Sequence, residues 1–302
     1  MMRGDATQRA GSLAKAQGPI CARTRAELRA RGGFADAVRK GAVKVQKLHQ
    51  GKRLLNLIIN DRGRFAASLL ALDLHFRRDA NGIGLTSGRL KQLLAETGVC
   101  SPTRAGALLT LMQLGNFVRP ARVSRDRRVR ELKPTDKLIS SQRERWRCQL
   151  ESAARFLPSA AAALEHLDDD EFLGGMVRVC ADYFYGGFRM TTDIPGITLF
   201  AARQGGMFVV ISLLVEAGDE ALAGRQAVKI SVSELARRTG TSRTHVIKLL
   251  NDAVAEGLLE RPAQSEVLLL PRFVDTAHDF FAQGYLLLDH CAAQVLAERK
   301  LC

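Results

Sequence analysis

Two stretches of this chain share one skeleton. Thr97–Ala121 reads TGVCSPTRAGALLTLMQLGNFVRPA and Thr239–Ala263 reads TGTSRTHVIKLLNDAVAEGLLERPA; both are 25 residues long and they start 142 residues apart. Seven of the 25 positions agree without a gap: the opening Thr-Gly, Leu108/Leu250, Gly115/Gly257 and the closing Arg-Pro-Ala. That register sets Arg104 against Val246, a charge against a core position. Aligning Ser101 with Ser242, the serines placed to cap a helix, removes the conflict. Ala105 then meets Val246, Leu108 meets Leu249 and Leu109 meets Leu250. The first copy is expected to carry a turn one residue longer, recovered at the helix end.

The surroundings of each stretch repeat as well. In the first half, RFAASLLALDLHFRR is an amphipathic or buried helix, and DANGIGLTS is a turn leading into a short strand. Ser87 is expected to cap a helix over Gly88–Glu96, and Gly98 to end it. Ser101 caps the next helix with Pro102 in its first position, where a missing N–H costs nothing. Ala105, Leu108, Leu109 and Met112 give it one buried face, and it should end near Gly115. FVRPARV and RVREL form a hairpin around SRDR, and a long helix follows. In the second half, Leu199–Val215 reads as one apolar helix with Gly205-Gly206 inside it, and AVKIS as a short strand. Ser231 or Ser233 caps a helix ended by Gly240. Ser242 caps another, buried through Val246, Leu249, Leu250 and Ala253 and ended by Gly257. LLERPA and EVLLLP form a hairpin around QS before a long final helix.

Helix, strand, helix, tight turn, helix, hairpin is the order of a winged helix-turn-helix. The expected fold class is mainly α with small β-hairpins: tandem winged helix-turn-helix domains linked by long helices. The expected boundaries are a flexible basic arm over 1–33, a first winged-helix domain with flanking helices over 34–150, a helical linker over 151–196, and a second winged-helix domain over 197–302.

Charge separates the two halves. Residues 1–150 hold 31 Lys/Arg against 11 Asp/Glu, and residues 151–302 hold 14 against 20. The basic half attracts polyanions, with nucleic acid as the default partner and an anionic membrane surface as the lesser one. No apolar run reaches 18 residues, so no membrane span is expected. The Arg-rich, acid-poor start reads as a basic arm, with an organellar transit peptide as the alternative. The six cysteines form no CxxC pair and read as reduced thiols. The expected location is the cytoplasm, associated with the nucleoid.

SRTHVIKLLNDAVAEGLLER and RDRRVRELKPTDKL resemble the recognition helix and the wing of MarR-type winged-helix regulators. Members of that family are usually single-domain chains that dimerise through terminal helices, and many bind small ligands. The resemblance therefore implies a single-chain pseudo-dimer on double-stranded DNA, monomeric or further dimerised, with a small-molecule effector as a further partner. It points to Arg127, beside Asp126 at the first wing's turn, as a minor-groove or phosphate contact. Arg122, Arg125, Arg128 and Arg130 extend that basic wing. Ser101, Thr103 and Arg104 lie at the start of the first recognition helix, and Arg243, Thr244, His245 and Lys248 at the start of the second. The second wing lacks the Asp-Arg pair and sets Glu260 and Glu266 against Arg261 and Arg272, so its grip on DNA is expected to be weak or lost.

Tyr183, Phe184, Tyr185 and Phe188 cluster in CADYFYGGFRM and are candidates to line a ligand pocket, with an aromatic core as the blander reading. The acidic run EHLDDDE reads as a linker or helix cap rather than a metal site. The chain has no GxxxxGK[ST], HExxH or GxSxG, so neither catalysis nor a cofactor or metal is expected. The expected function is a sequence-specific DNA-binding transcription regulator acting on an asymmetric or imperfectly palindromic site. Two rivals stand beside it: a plasmid-type replication initiator with two winged helices, and a chain whose second domain docks a protein instead of DNA.

Overall fold

The computed structural model describes residues 18–49, 62–121 and 130–299. After a 3-10 turn at Gly18–Ile20 come α1 (Ala22–Arg29), α2 (Phe34–His49), α3 (Arg62–Phe76), α4 (Ser87–Glu96), α5 (Pro102–Leu114), β1 (Val118–Pro120) and β2 (Leu132–Pro134). There follow α6 (Asp136–Ala153), α7 (Pro158–His166), α8 (Asp170–Tyr185), α9 (Pro195–Ala201), α10 (Gly206–Glu216), α11 (Asp219–Leu222) and β3 (Val228–Lys229). The chain closes with α12 (Val232–Thr239), α13 (Arg243–Ala255), β4 (Leu259–Ala263), β5 (Glu266–Leu269) and α14 (Pro271–Glu298). The fold is mainly helical, with β1 paired to β2 in one small antiparallel sheet and β5 between β3 and β4 in the other.

Contacts divide the chain into two units whose sequences interleave. Of the described residues, unit 1 holds 18–21, 62–121, 130–189 and 286–299, and unit 2 holds 22–49 and 190–285. This differs from the linear order of 34–150, 151–196 and 197–302. The stretch 151–189, expected as a linker, supplies much of unit 1's core: Phe172, Leu173, Met176 and Val177 on α8 are fully buried, and α8 packs on α3. Helix α3 is buried nearly all round through Ala66, Ala67, Leu69, Leu70, Ala71 and Leu72, which is what makes it a core element rather than a surface stripe. The acidic run that follows α7 is ion-paired: Asp168 with Arg147, Asp169 with Arg299 and Asp170 with Arg143, while Asp169 also caps α8.

Residues 22–33, expected within a flexible arm, are instead packed into unit 2. Arg25 of α1 is 2% exposed and donates to Gln283 Oε1 at 2.8 Å, and Arg29 pairs with Asp279 at 2.9 Å. Gln283 in turn donates to the backbone carbonyl of Met190 at 3.0 Å, so α14 ties α1 to the start of the second half. Beside this network His278 packs edge-on against Phe34, with centroids 5.8 Å apart, and its Nε2 has no hydrogen-bond partner among the described residues. Burial, reinforced by the nearby Arg29 charge, pushes the imidazole down to about 4. A histidine held below its ordinary value takes up its proton mainly on unfolding, so its contribution is intact above about pH 6.5 and is lost as acid is added. By pH 5 this group alone is expected to remove about 2 kcal/mol. Urea unfolding at pH 7 and pH 5 checks this: His278→Gln should lose that much less than the parent chain.

The apolar segment around residues 195–216 is not one helix. Gly205 takes a left-handed φ of 72° and separates α9 from α10, which meet at 111°. Among the described residues no single helix is long and apolar enough to cross a membrane.

Candidate nucleic-acid interface

Each unit contains one copy of the repeated stretch. In unit 1, Thr86 rather than Ser87 caps α4: its Oγ1 accepts from Arg89 N at 3.1 Å, and Ser87 is the first helical residue. Leu90 and Leu94 face inward, and Gly98 reverses the chain at φ 67°. In unit 2, Ser231 caps α12 by accepting from Glu234 N at 3.2 Å, Leu235 and Ala236 are buried, and Gly240 reverses the chain at φ 65°. Ser101 and Ser242 then cap α5 and α13, accepting from Arg104 N and His245 N. The first turn is one residue longer, as the serine register requires: Gly98 to Ser101 against Gly240 to Ser242.

From the caps onward the two helices match position by position. Both have 13 residues. Ala105, Leu108, Leu109 and Met112 are buried in one, and Val246, Leu249, Leu250 and Ala253 in the other. The left-handed residue ending each is Asn116 (φ 55°) in unit 1 and Gly257 (φ 65°) in unit 2. Gly115 is therefore not the counterpart of Gly257, and the extra residue is not recovered at the helix end. Phe117 N donates to Met112 O at 2.8 Å, and Leu258 N donates to Ala253 O at 2.9 Å. A cation from the following long helix holds each C-terminus: Lys137 Nζ donates to Gly115 O at 2.8 Å, and Arg272 Nη1 donates to Glu256 O at 2.6 Å. Both cations satisfy carbonyls the helix leaves free and oppose the negative end of its dipole. Nothing in the 25-residue skeleton signalled this pair, because both lie beyond it.

The register is recovered in the hairpins. Val118 pairs with Pro134 and Arg119 with Lys133, while Leu259 pairs with Leu269 and Glu260 with Leu268. A shift between Glu260 and Ala263 absorbs the difference. The shared Arg-Pro-Ala is thus out of step, and the counterpart of Arg119 is Glu260. The hairpin of unit 1 sets two cations directly opposite each other, a pairing that is unfavourable on its own. Arg119 and Arg130 are exposed, and neither they nor Lys133 is ion-paired among the described residues. A third strand position completes each sheet: Leu132 N donates to Leu85 O at 2.8 Å beside a Thr86–Glu131 bridge, and Ile230 N donates to Ser265 O at 2.8 Å.

The expected contacts divide as follows. Ser101, Thr103 and Arg104 are exposed at the start of α5, and Arg243, Thr244 and Lys248 at the start of α13. His245 differs: its Nε2 lies 3.0 Å from Gln204 O, so the ring is tied to the turn before α10. Arg122, Arg125, Arg127 and Arg128 lie outside the described residues. In unit 2 most cations are engaged: Glu234 binds Arg237 at 2.6 Å and Arg238 at 2.6 Å, Arg203 pairs with Asp252, and Arg261 donates to Asn251 Oδ1 at 2.9 Å. Two short hydrogen bonds hold Glu234 charged, and its carboxyl is pulled down to about 2.

The aromatic cluster is packed among its neighbours in the described residues. Tyr183 and Phe188 are buried and stack edge-on with centroids 5.7 Å apart, and Tyr183 also meets His290. Phe184 lies 3.8 Å beneath the Arg189 guanidinium, and Tyr185 donates to the buried Asp73 carboxylate. All four side chains pack within unit 1, because α8 needs an apolar face against α3 and the end of α14. No protein-family model, no curated protein and no solved structure matches this chain.

Proposed function

We propose that this chain is a sequence-specific DNA-binding transcription regulator built from two winged helices, α3–β2 with its flanks in unit 1 and α10–β5 in unit 2. In this reading α5 and α13 are the recognition helices, and the two copies act as a pseudo-dimer on an asymmetric site. The observation that carries it is the hairpin of unit 1. Arg119 and Lys133 face each other across β1 and β2, Arg130 is exposed just before β2, and none is ion-paired among the described residues. Such a like-charge pair is relieved by a polyanion, and it sits one strand away from a Ser-capped helix whose first turn exposes Thr103 and Arg104. The bulk basic charge of the first half supports the same partner.

Duplex binding by the full chain at several salt concentrations tests this. The triple variant Arg104→Ala/Arg119→Ala/Arg130→Ala is expected to bind more weakly, with a log K against log salt slope shallower by about 0.9 for each phosphate contact removed. An unchanged slope and affinity would count against the unit 1 surface, and no binding to any duplex at low salt would remove the function altogether.

A further inference from the structure

We infer that sequence reading is concentrated in α13 of unit 2, with Ile247 placed to meet the 5-methyl group of a thymine, while α5 of unit 1 grips without discriminating. This rests on the reading of α5 and α13 as recognition helices and says which of them selects the site.

The inference comes from the exposed arcs of the two matched helices. At about 100° per residue, the buried positions of α13 occupy one arc, and Arg243, Thr244, Ile247, Lys248, Asn251, Val254 and Ala255 fall on the other. The middle of that arc is Ile247, Asn251 and Thr244; Arg243 and Lys248 flank it, exposed and without ion-pair partners among the described residues. Ile247, 39% exposed, is the branched apolar side chain in the middle of this polar face; Val254, 37% exposed, lies in the last turn, as does Leu114 of α5 at 78%. In α5 the matching central positions are Gly106, Thr110 and Thr103, and the matching flanks are Pro102 and Ala107. Equal helix length, a Ser cap on each and four matching buried positions make the two helices comparable. In α13 long side chains stand at the centre of the exposed face, whereas in α5 the long exposed side chains, Arg104, Gln113 and Leu114, lie toward the two ends of the helix.

The chemistry of the α13 face selects the ligand. Flanking cations suit the phosphates on either side of a major groove, and an apolar side chain between them finds its one apolar partner there in the thymine methyl. Asn251 is held from the hairpin: Arg261 donates to its Oδ1 at 2.9 Å and to Gln264 O at 3.0 Å. With its oxygen engaged, Asn251 has its amide N–H groups left to offer, which suit an acceptor such as thymine O4. The tie from His245 to Gln204 fixes the first turn of the same helix.

Selection from a random duplex pool with the full chain tests this. The parent protein should enrich an asymmetric motif whose information lies in one half and includes a thymine. Replacing that thymine by uracil should weaken binding about fourfold, the worth of one buried methyl. Ile247→Ala should abolish the uracil effect and flatten that half of the motif, while Thr110→Ala in α5 should leave the motif unchanged. Both positions are exposed, and matching melting curves confirm that the variants fold. A motif equally informative in both halves, or a uracil effect that survives Ile247→Ala, overturns the inference while leaving DNA binding intact. Failure to bind any duplex overturns the functional reading and this inference with it.

Discussion

Gly206→Ala is expected to cost about 3 kcal/mol of stability or more, because the added methyl has nowhere to go. A Cβ at this position would run into the Phe200 backbone, lying 2.8 Å from its carbonyl carbon and 2.9 Å from its Cα. Phe200 cannot retreat: it is fully buried and stacks edge-on with Phe273, centroids 5.8 Å apart. Gly205, next to it, is left-handed, and a Cβ there would sit 2.6 Å from Thr239 Cβ. Gly240→Ala is the control. Its φ is 65° but nothing lies within 4 Å of a built Cβ, so only the conformational cost of about 1 kcal/mol applies. Urea unfolding followed by far-UV circular dichroism measures both. Equal losses would mean that the α9–α10 break yields and is not a fixed point. The break matters beyond stability, since Gln204 holds His245 and Arg203 holds Asp252, anchoring α13 at its first and third turns. Duplex affinity should therefore fall in Gly206→Ala even under conditions where the chain stays folded.

What was legible in the sequence was what local chemistry decides. Ser101, Ser242, Gly98 and Gly240 each have one residue-scale job, and the structure uses them for it. The four-residue buried faces of α5 and α13 follow from helical periodicity alone. What failed needed a neighbour. Gly115 drew the alignment because glycine is the usual left-handed residue, yet Asn116 tolerates that conformation and takes the position. Arg-Pro-Ala is identical in both copies, but strand pairing, not identity, fixes the register, and it places Arg119 opposite Lys133. The helix expected over 199–215 is broken at left-handed Gly205, against which Thr239 packs from a different element. The interleaving of the units is set by contacts such as Arg25 to Gln283, 258 positions apart, beyond the reach of any local pattern. Base-edge candidates on α5 and α13 read equally well as motifs. Their difference becomes visible only when burial aligns Gly106 with Ile247.

Replacing Arg145 should make the protein more stable. This arginine of α6 lies in unit 1, 6% exposed, with Nε and Nη1 unpartnered among the described residues. Its guanidinium rests 4.5 Å above the Phe65 ring and donates to Gln142 Oε1, whose own Nε2 has no partner. Burial, with no carboxylate paired to it among the described residues, pushes the guanidinium down to about 10. Arg25 in unit 2 is the contrast, equally buried but set against Gln283 and Asp279. An uncompensated buried cation costs several kcal/mol, far more than a cation–π contact of about 1–2 kcal/mol returns. Methionine matches the length and flexibility of the arginine stem and fills the same space. Arg145→Met leaves Gln142 buried with neither end bonded, which cancels part of the gain, so the single variant is expected to rise by only about 1 kcal/mol. Arg145→Met/Gln142→Leu removes every unpaired polar atom at the site and should gain up to about 4 kcal/mol. Arg25→Met should lose stability by a comparable amount, because it removes the donor to the buried Gln283 Oε1 and one of the two guanidinium groups set against Asp279. Urea midpoints at constant slope read all three. A double variant less stable than the parent would show that the Arg145 charge is compensated and that its burial is a source of stability.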